Sequence, residues 1–232
     1  QSTTDIYSVG NFQGGHQRFA EELDNVQVHT RALSEAEITE VSSGQVVKTG
    51  LAAHFDFEGD TLAEQLSDKS GNNKDARSIS ASIEEHDGDG ATNVASFDHV
   101  HDRVIIDGAV DIGQQWTISA TYSDLSDGQN WNTLFRGAGG DHQIIVNKDG
   151  LLGSYGNGGV SGFSGFKSSG FDMDTLNDGL PHTVTAVGSN GTTTFYIDGE
   201  EVGSIPYQST TDIYSVGNFQ GGHQRFAEEL DN

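Results

Sequence analysis

From Trp116 to Ser123 the chain alternates without a break, with Trp116, Ile118, Ala120 and Tyr122 on one side and Thr117, Ser119, Thr121 and Ser123 on the other. A period of two puts every second side chain on the same face, so this stretch predicts a strand with one buried face. Apolar or β-branched runs bounded by turn residues recur in DRVIIDG, NTLFRG, HQIIVNKDG, HTVTAVGSNG and TTTFYIDGEEVGSI. LAAHFDFEGD, from Leu51, reads as another strand. Asn190-Gly191 and Asp198-Gly199 are the dipeptides that two-residue hairpins favour, because both residues tolerate positive φ. The pattern changes at SEAEITEV, residues 34–41. There Ser34 stands as N-cap with Glu37 three positions on, the capping-box spacing of a short helix. Short strands, tight turns and almost no helix predict an all-β fold, an antiparallel β-sandwich or jelly roll.

A second pattern has a much longer period. Residues 208–232 repeat residues 1–25 without a mismatch. Gln1 recurs as Gln208, so the period is 207 residues, the size of a whole domain and far longer than a solenoid repeat. Such a period fits whole domains copied head to tail; deliberate permutation of a domain is the alternative that identity also allows. The polar stretch SSGQVVKTG, residues 42–50, reads as a linker. Residues 1–41 are then the closing segment of one domain, and residues 51–232 nearly all of the next.

Composition narrows the partners. Thirty-five Asp and Glu against 11 Lys and Arg leave a formal charge of -24, which repels nucleic acid and anionic lipid head groups. The surplus of carboxylates suits hard divalent cations, above all calcium outside the cell, or simply a solvated acidic surface. With no cysteine there is neither a disulfide framework nor a thiolate zinc site. No apolar run reaches the ~18 residues of a membrane span, so no membrane insertion is expected. The first residues show no basic, apolar and small-residue succession of an export signal.

Several blocks come in a familiar order. LAAHFDFEGD, LSDKSGNNKDA, ASFDHVHDRVII, WTISATY, LPHTVTAVGSNGTTTFYIDGEEVG and FAEELDNVQVHTRALSEAEI resemble the successive blocks of laminin-G-like, concanavalin-A-like jelly-roll domains of bacterial surface and secreted proteins. RALSEAEI, residues 31–38, is the most specific of them. The order is rotated, because the family's final block stands here near the N-terminus. The domain begun at Leu51 therefore lacks its closing strand, an opening that another strand can fill. Val26, Val28 and His29 can fill it by folding back within the same chain, or by docking into a neighbour and linking chains head to tail.

The resemblance also implies a structural calcium at one edge of the sandwich, near Glu58, the turn from Asp68 to Asp75, and Glu228, Glu229 and Asp231. Its expected ligands are Asp68, Asn72, Glu229 and Asp231, with Glu22 and Asp24 as the first copy's equivalents and Glu58 beside them; a solvated acidic turn is the plain alternative. The glycine- and serine-rich stretch GSYGNGGVSGFSGFKSSGF carries Tyr155, Phe163, Phe166 and Phe171. Aromatic rings on adaptable loops can stack against sugar rings, anchor a protein, or hold a long loop down. Trp131 and His142 lie close enough in sequence to join them. His99 and His101 read as a solvated loop, and His182 as a packed strand-entry histidine. No nucleophile motif or phosphate loop is present, and the carboxylates at 229 and 231 lack the third acidic residue of related glycoside hydrolases, so no catalysis is expected. Together these features predict a calcium-stabilised module of a repetitive extracellular surface protein, such as an adhesin, stalk or fibre, whose neighbours are identical repeats. A carbohydrate-binding module recognising cell-surface glycans is the other reading.

Overall fold

A computed structural model describes residues 20–79, 81–85, 92–97, 103–108, 110–125, 130–137, 141–158, 164–176, 178–210 and 213–215. The chain opens with strand β1 (Ala20–His29), helix α1 (Glu35–Ser42), strand β2 (Leu51–Phe55) and a single helical turn, α2 (Leu62–Gln65). Four short strands follow: β3 (Ala76–Ile79), β4 (Ser82–Glu85), β5 (Asn93–Ser96) and β6 (Arg103–Ile106). Next come β7 (Trp116–Leu125), β8 (Trp131–Gly137), β9 (His142–Asn147), β10 (Leu151–Asn157) and β11 (Ser164–Asp172). The last are β12 (His182–Ser189), β13 (Thr192–Ile197), β14 (Glu200–Ile205) and β15 (Ile213–Ser215).

These strands form an antiparallel, all-β sandwich. One sheet runs β14-β13-β12-β7-β1-β5-β4, with β2 also paired to β1; the other runs β11-β10-β9-β8-β15, and β3 pairs with β6 apart from both. One core lies between the large sheets, where Trp116, Ile118 and Ala120 of β7 meet Leu134, Ile144 and Leu152 of the second sheet. The alternation at 116–123 is the burial pattern of β7, and α1 carries both bonds of the capping box between Ser34 and Glu37. The two hairpin dipeptides adopt the positive φ that their turns require, at 52° and 79° for Asn190-Gly191 and 51° and 86° for Asp198-Gly199.

Strand β1 does not alternate simply. Leu23, Val26 and Val28 all point into the core, a spacing of three and then two. Asn25, at φ 46°, is the extra residue of a β-bulge, since Asp24 pairs with Thr121 and Gln27 with Ser119. The bulge resets the faces, so Val26 points inward again and Gln27 and His29 emerge on the outer side.

Both copies of the 25-residue segment are used, each in part. The first copy supplies the start of β1, which pairs with β7 and β5 in the first sheet. The second copy supplies Gln208 and Ser209, both buried, and then β15 beside β8 in the second sheet. The Gln208 amide accepts from Gly191 N at 2.9 Å and donates to Gln114 O at 2.8 Å, while Trp116 Nε1 donates to Ser209 O at 2.7 Å. From Ala20 to Ser215 the described strands lie within one 207-residue period.

Candidate functional site

The clearest convergence of expected binding residues is on the outer face of the second sheet. Register places Tyr155 opposite His142 on one side and Phe166 on the other, and Trp131 opposite Asn147 one strand further. The rings meet edge-on. Trp131 lies 5.4 Å from Tyr155 and 5.4 Å from Phe166, and His142 lies 5.8 Å from Tyr155, by ring centroids. Such T-shaped contacts set the electropositive ring edge against a neighbour's face. Trp131, Tyr155 and Phe166 are half-buried, whereas His142 is buried, with Nδ1 3.1 Å from Thr133 Oγ1. Phe163 lies outside the described residues.

The glycine- and serine-rich stretch was expected as adaptable loop, but much of it forms β10 and β11. The reason is close approach. A Cβ on Gly153 would stand 2.0 Å from Lys167 O and 2.9 Å from Phe166 Cε2, so only glycine lets β11 come this near and lays the Phe166 ring over β10. The rings are therefore held by a sheet. Phe171, by contrast, packs against the core and leaves the cluster.

Three of the residues expected to hold calcium, Asp68, Asn72 and Glu58, are engaged by hydrogen bonds within the protein. Asp68 accepts four hydrogen bonds: from His54 N (3.0 Å), Ser70 N (2.9 Å), Lys74 N (3.0 Å) and Ser70 Oγ (2.8 Å). A carboxylate has about four acceptor positions, so these are filled by the protein. Burial opposes its charge, but the bonds from Ser70, Lys74 and His54 hold its pKa below the usual value. Asn72 Nδ2 donates to Leu51 O at 2.9 Å and Ala52 O at 3.2 Å, fastening the same turn to β2. Glu58 accepts from Asn93 N at 2.8 Å and Asn93 Nδ2 at 3.2 Å. Among the described residues no group of three or more His, Asp or Glu side chains stands where a metal ion could be held. Asp68 thus has no acceptor position left for a calcium ion as placed, and Glu229 and Asp231 lie outside the described residues, as do His99 and His101.

Glu22 and Asp24 lie instead along grooves on the outer face of the first sheet. The larger groove, about 540 Å³, is lined by Asp24, Asn25, His54, Asp56, Glu58 and Asp198 among others; Glu22 lines a neighbouring one of about 200 Å³. His54 Nε2 donates to Asn25 Oδ1 at 3.1 Å, and burial lowers the pKa of His54. His182, packed at strand entry as expected, is bracketed by Asp198 at 2.7 Å and Asp178 at 3.2 Å. Burial opposes its protonation, but the two carboxylates outweigh it and raise its pKa.

Val26, Val28 and His29 are fully buried in β1 of their own chain, paired with β2 and, at Val28 and His29, with β7. The stretch expected as a linker runs along the outer side of this strand in the same direction. Gln27 Nε2 donates to Gln45 O (3.0 Å), His29 Nε2 to Val47 O (2.8 Å) and Arg31 Nε to Thr49 O (2.8 Å). Alternate side chains of one segment thus meet alternate carbonyls of the other, a ladder made by side chains. Val47 seals this strap in a small apolar cluster with Leu33, Ile38, Val41, Val187 and Tyr196. The signal was present in the spacing of Gln27, His29 and Arg31, but polar residues at period two read as a solvated face until something covers them.

In comparison with family models, with curated proteins and with solved structures, the chain matches none.

Proposed function

We propose that this chain carries one unit of a repetitive extracellular surface protein, an adhesin, stalk or fibre, in which identical laminin-G-like jelly-roll sandwiches follow one another. The observation that supports it best is the agreement between repeat and fold. One 207-residue period contains one sandwich, and its described residues take Ala20–Asn25 from the first copy of the duplicated segment and 208–210 and 213–215 from the second. A repeat that matches a folded unit can be multiplied without leaving an incomplete core. The acidic surface keeps such an array soluble and self-repelling. Pulling on chains of two, three and four periods tests the reading. Each added period should add one unfolding event of equal length, about 68–75 nm at ~3.3–3.6 Å per residue, and unequal steps would refute it. Light scattering across protein concentration shows whether separate chains also link by strand complementation.

The ring cluster favours a second reading, compatible with the first, in which each unit is a carbohydrate-binding module. Sheet-held Trp131, Tyr155 and Phe166 offer apolar surface for a sugar ring, and repetition turns weak single contacts into avidity. A glycan array probed with the single unit tests it. Binding at sub-millimolar affinity that disappears in Tyr155→Ala, with the melting temperature retained, supports the reading; no glycan bound refutes it.

A further inference from the structure

An array of identical periods offers each sandwich two chemically identical copies of β1. One precedes its β2, and the other follows its β15. Side-chain contacts cannot choose between them, because every residue is the same. The connection can.

The chain leaves β1 at Thr30, whose N–H donates to Gly50 O at 2.9 Å. Between those two points the ladder from Gln27, His29 and Arg31 fastens the strap to the strand it has just left. The strap therefore delivers Leu51 directly to its pairing position opposite His29. Suppose instead that β1 closed the sandwich of the preceding period. The earlier Leu51 would already stand opposite His29, and two segments would compete for the same backbone groups. The chain leaving the strap would be turned away there, and the bond from Thr30 to Gly50 would be lost. Only one partition keeps every bond of the strap, and it makes β1 and the β2 that follows it parts of the same sandwich.

We propose, resting on the tandem-array reading, that the seam between neighbouring units runs through the duplicated segment. The stretch from Gln208 to β15 ends one sandwich, and the residues equivalent to Ala20–His29 open the next. Each unit is then the contiguous stretch Ala20–Ser215, and its partner in the array is a neighbour joined through the segment, with no strand exchanged between the two.

Cysteine trapping tests this cleanly, because the chain has no cysteine of its own. The chain used is residues 1–232 followed by 26–232 and then 26–41, so that either partition completes two sandwiches. Glu22 pairs with Ser123 across β1 and β7. Ser123→Cys in the first period is combined either with Glu22→Cys or with Glu229→Cys, the equivalent position one period on. Under mild oxidation the first pair is expected to form its disulfide nearly completely and the second only at background level, read by intact mass and non-reducing peptide mapping. A disulfide in the Glu229 chain equal to or exceeding that in the Glu22 chain overturns the proposal, and so does the absence of both. Either result leaves the tandem-array reading to the pulling experiment.

Discussion

Val47→Ala separates a docked strap from a free linker. Val47 is 7% exposed and lies against Leu33, Ile38, Val41, Val187 and Tyr196. The substitution removes two carbon groups from this cluster, about 1.6 kcal/mol at ~0.8 kcal/mol each. A cavity that only partly collapses adds some tenths to 1 kcal/mol more. The sum, about 1.9–2.6 kcal/mol, corresponds to a fall of about 4–10 °C in melting temperature for a chain of this length. Urea unfolding followed by tryptophan fluorescence gives the free energy, and a thermal melt followed by circular dichroism gives the temperature. Leu62→Ala serves as the control, since Leu62 is 57% exposed and its truncation should stay within about 0.5 kcal/mol. If Val47→Ala also stays within about 0.5 kcal/mol, the segment from Ser43 to Gly50 is not docked in solution and cannot fix which copy of β1 a unit uses.

Three further outcomes are expected. Gly188→Ala would place a Cβ 2.2 Å from the indole Cε2 of Trp116, so it should destabilise by about 3 kcal/mol or more in the same urea assay; a near-neutral effect would mean that Trp116 can move aside. On acidification, burial has lowered the pKa of His29 and His54, so the unfolded chain binds protons first, and stability present above pH 6.5 falls as the pH drops below it. His182 acts in the opposite sense, because its raised pKa gives stability that is fully present below 6.5 and is lost as the pH rises through the folded value. Urea titrations from pH 5 to 8 should therefore give a shallower acid-side fall in His29→Gln and a steeper one in His182→Gln; the reverse order would refute the assignment. A chelator should leave the melting temperature unchanged, because Asp68 is held by protein donors, whereas a fall of several degrees would show that an ion holds that turn.

Much of the fold was legible in the sequence for a local reason. A strand with one buried face shows its period of two, as at Trp116–Ser123, and a capped helix shows Ser34 and Glu37 three apart. Hairpin dipeptides carry their own φ preference. The ring cluster was half legible. Trp131, Tyr155, Phe166 and His142 were candidates by residue type, but their meeting on a sheet depended on the absence of a side chain at Gly153, which composition suggested was loop. The acidic turn was legible as a cluster, but not the bonds that hold it. Whether Asp68 faces an ion or three backbone N–H groups and a hydroxyl depends on where His54 and Lys74 place those groups.

By itself the sequence determined the all-β class, the spacing of most strands and the domain-sized period, because each is a pattern of neighbours along the chain. The tertiary structure alone decided which copy of the repeated segment fills which sheet, why β1 carries a bulge at Asn25, and that residues 42–50 are a strap docked on β1 through Val47. Identical residues have identical propensities, so nothing local can distinguish the two copies. Only the backbone groups already present in each sheet, and the length and bonding of the connection that reaches them, decide which copy is seated.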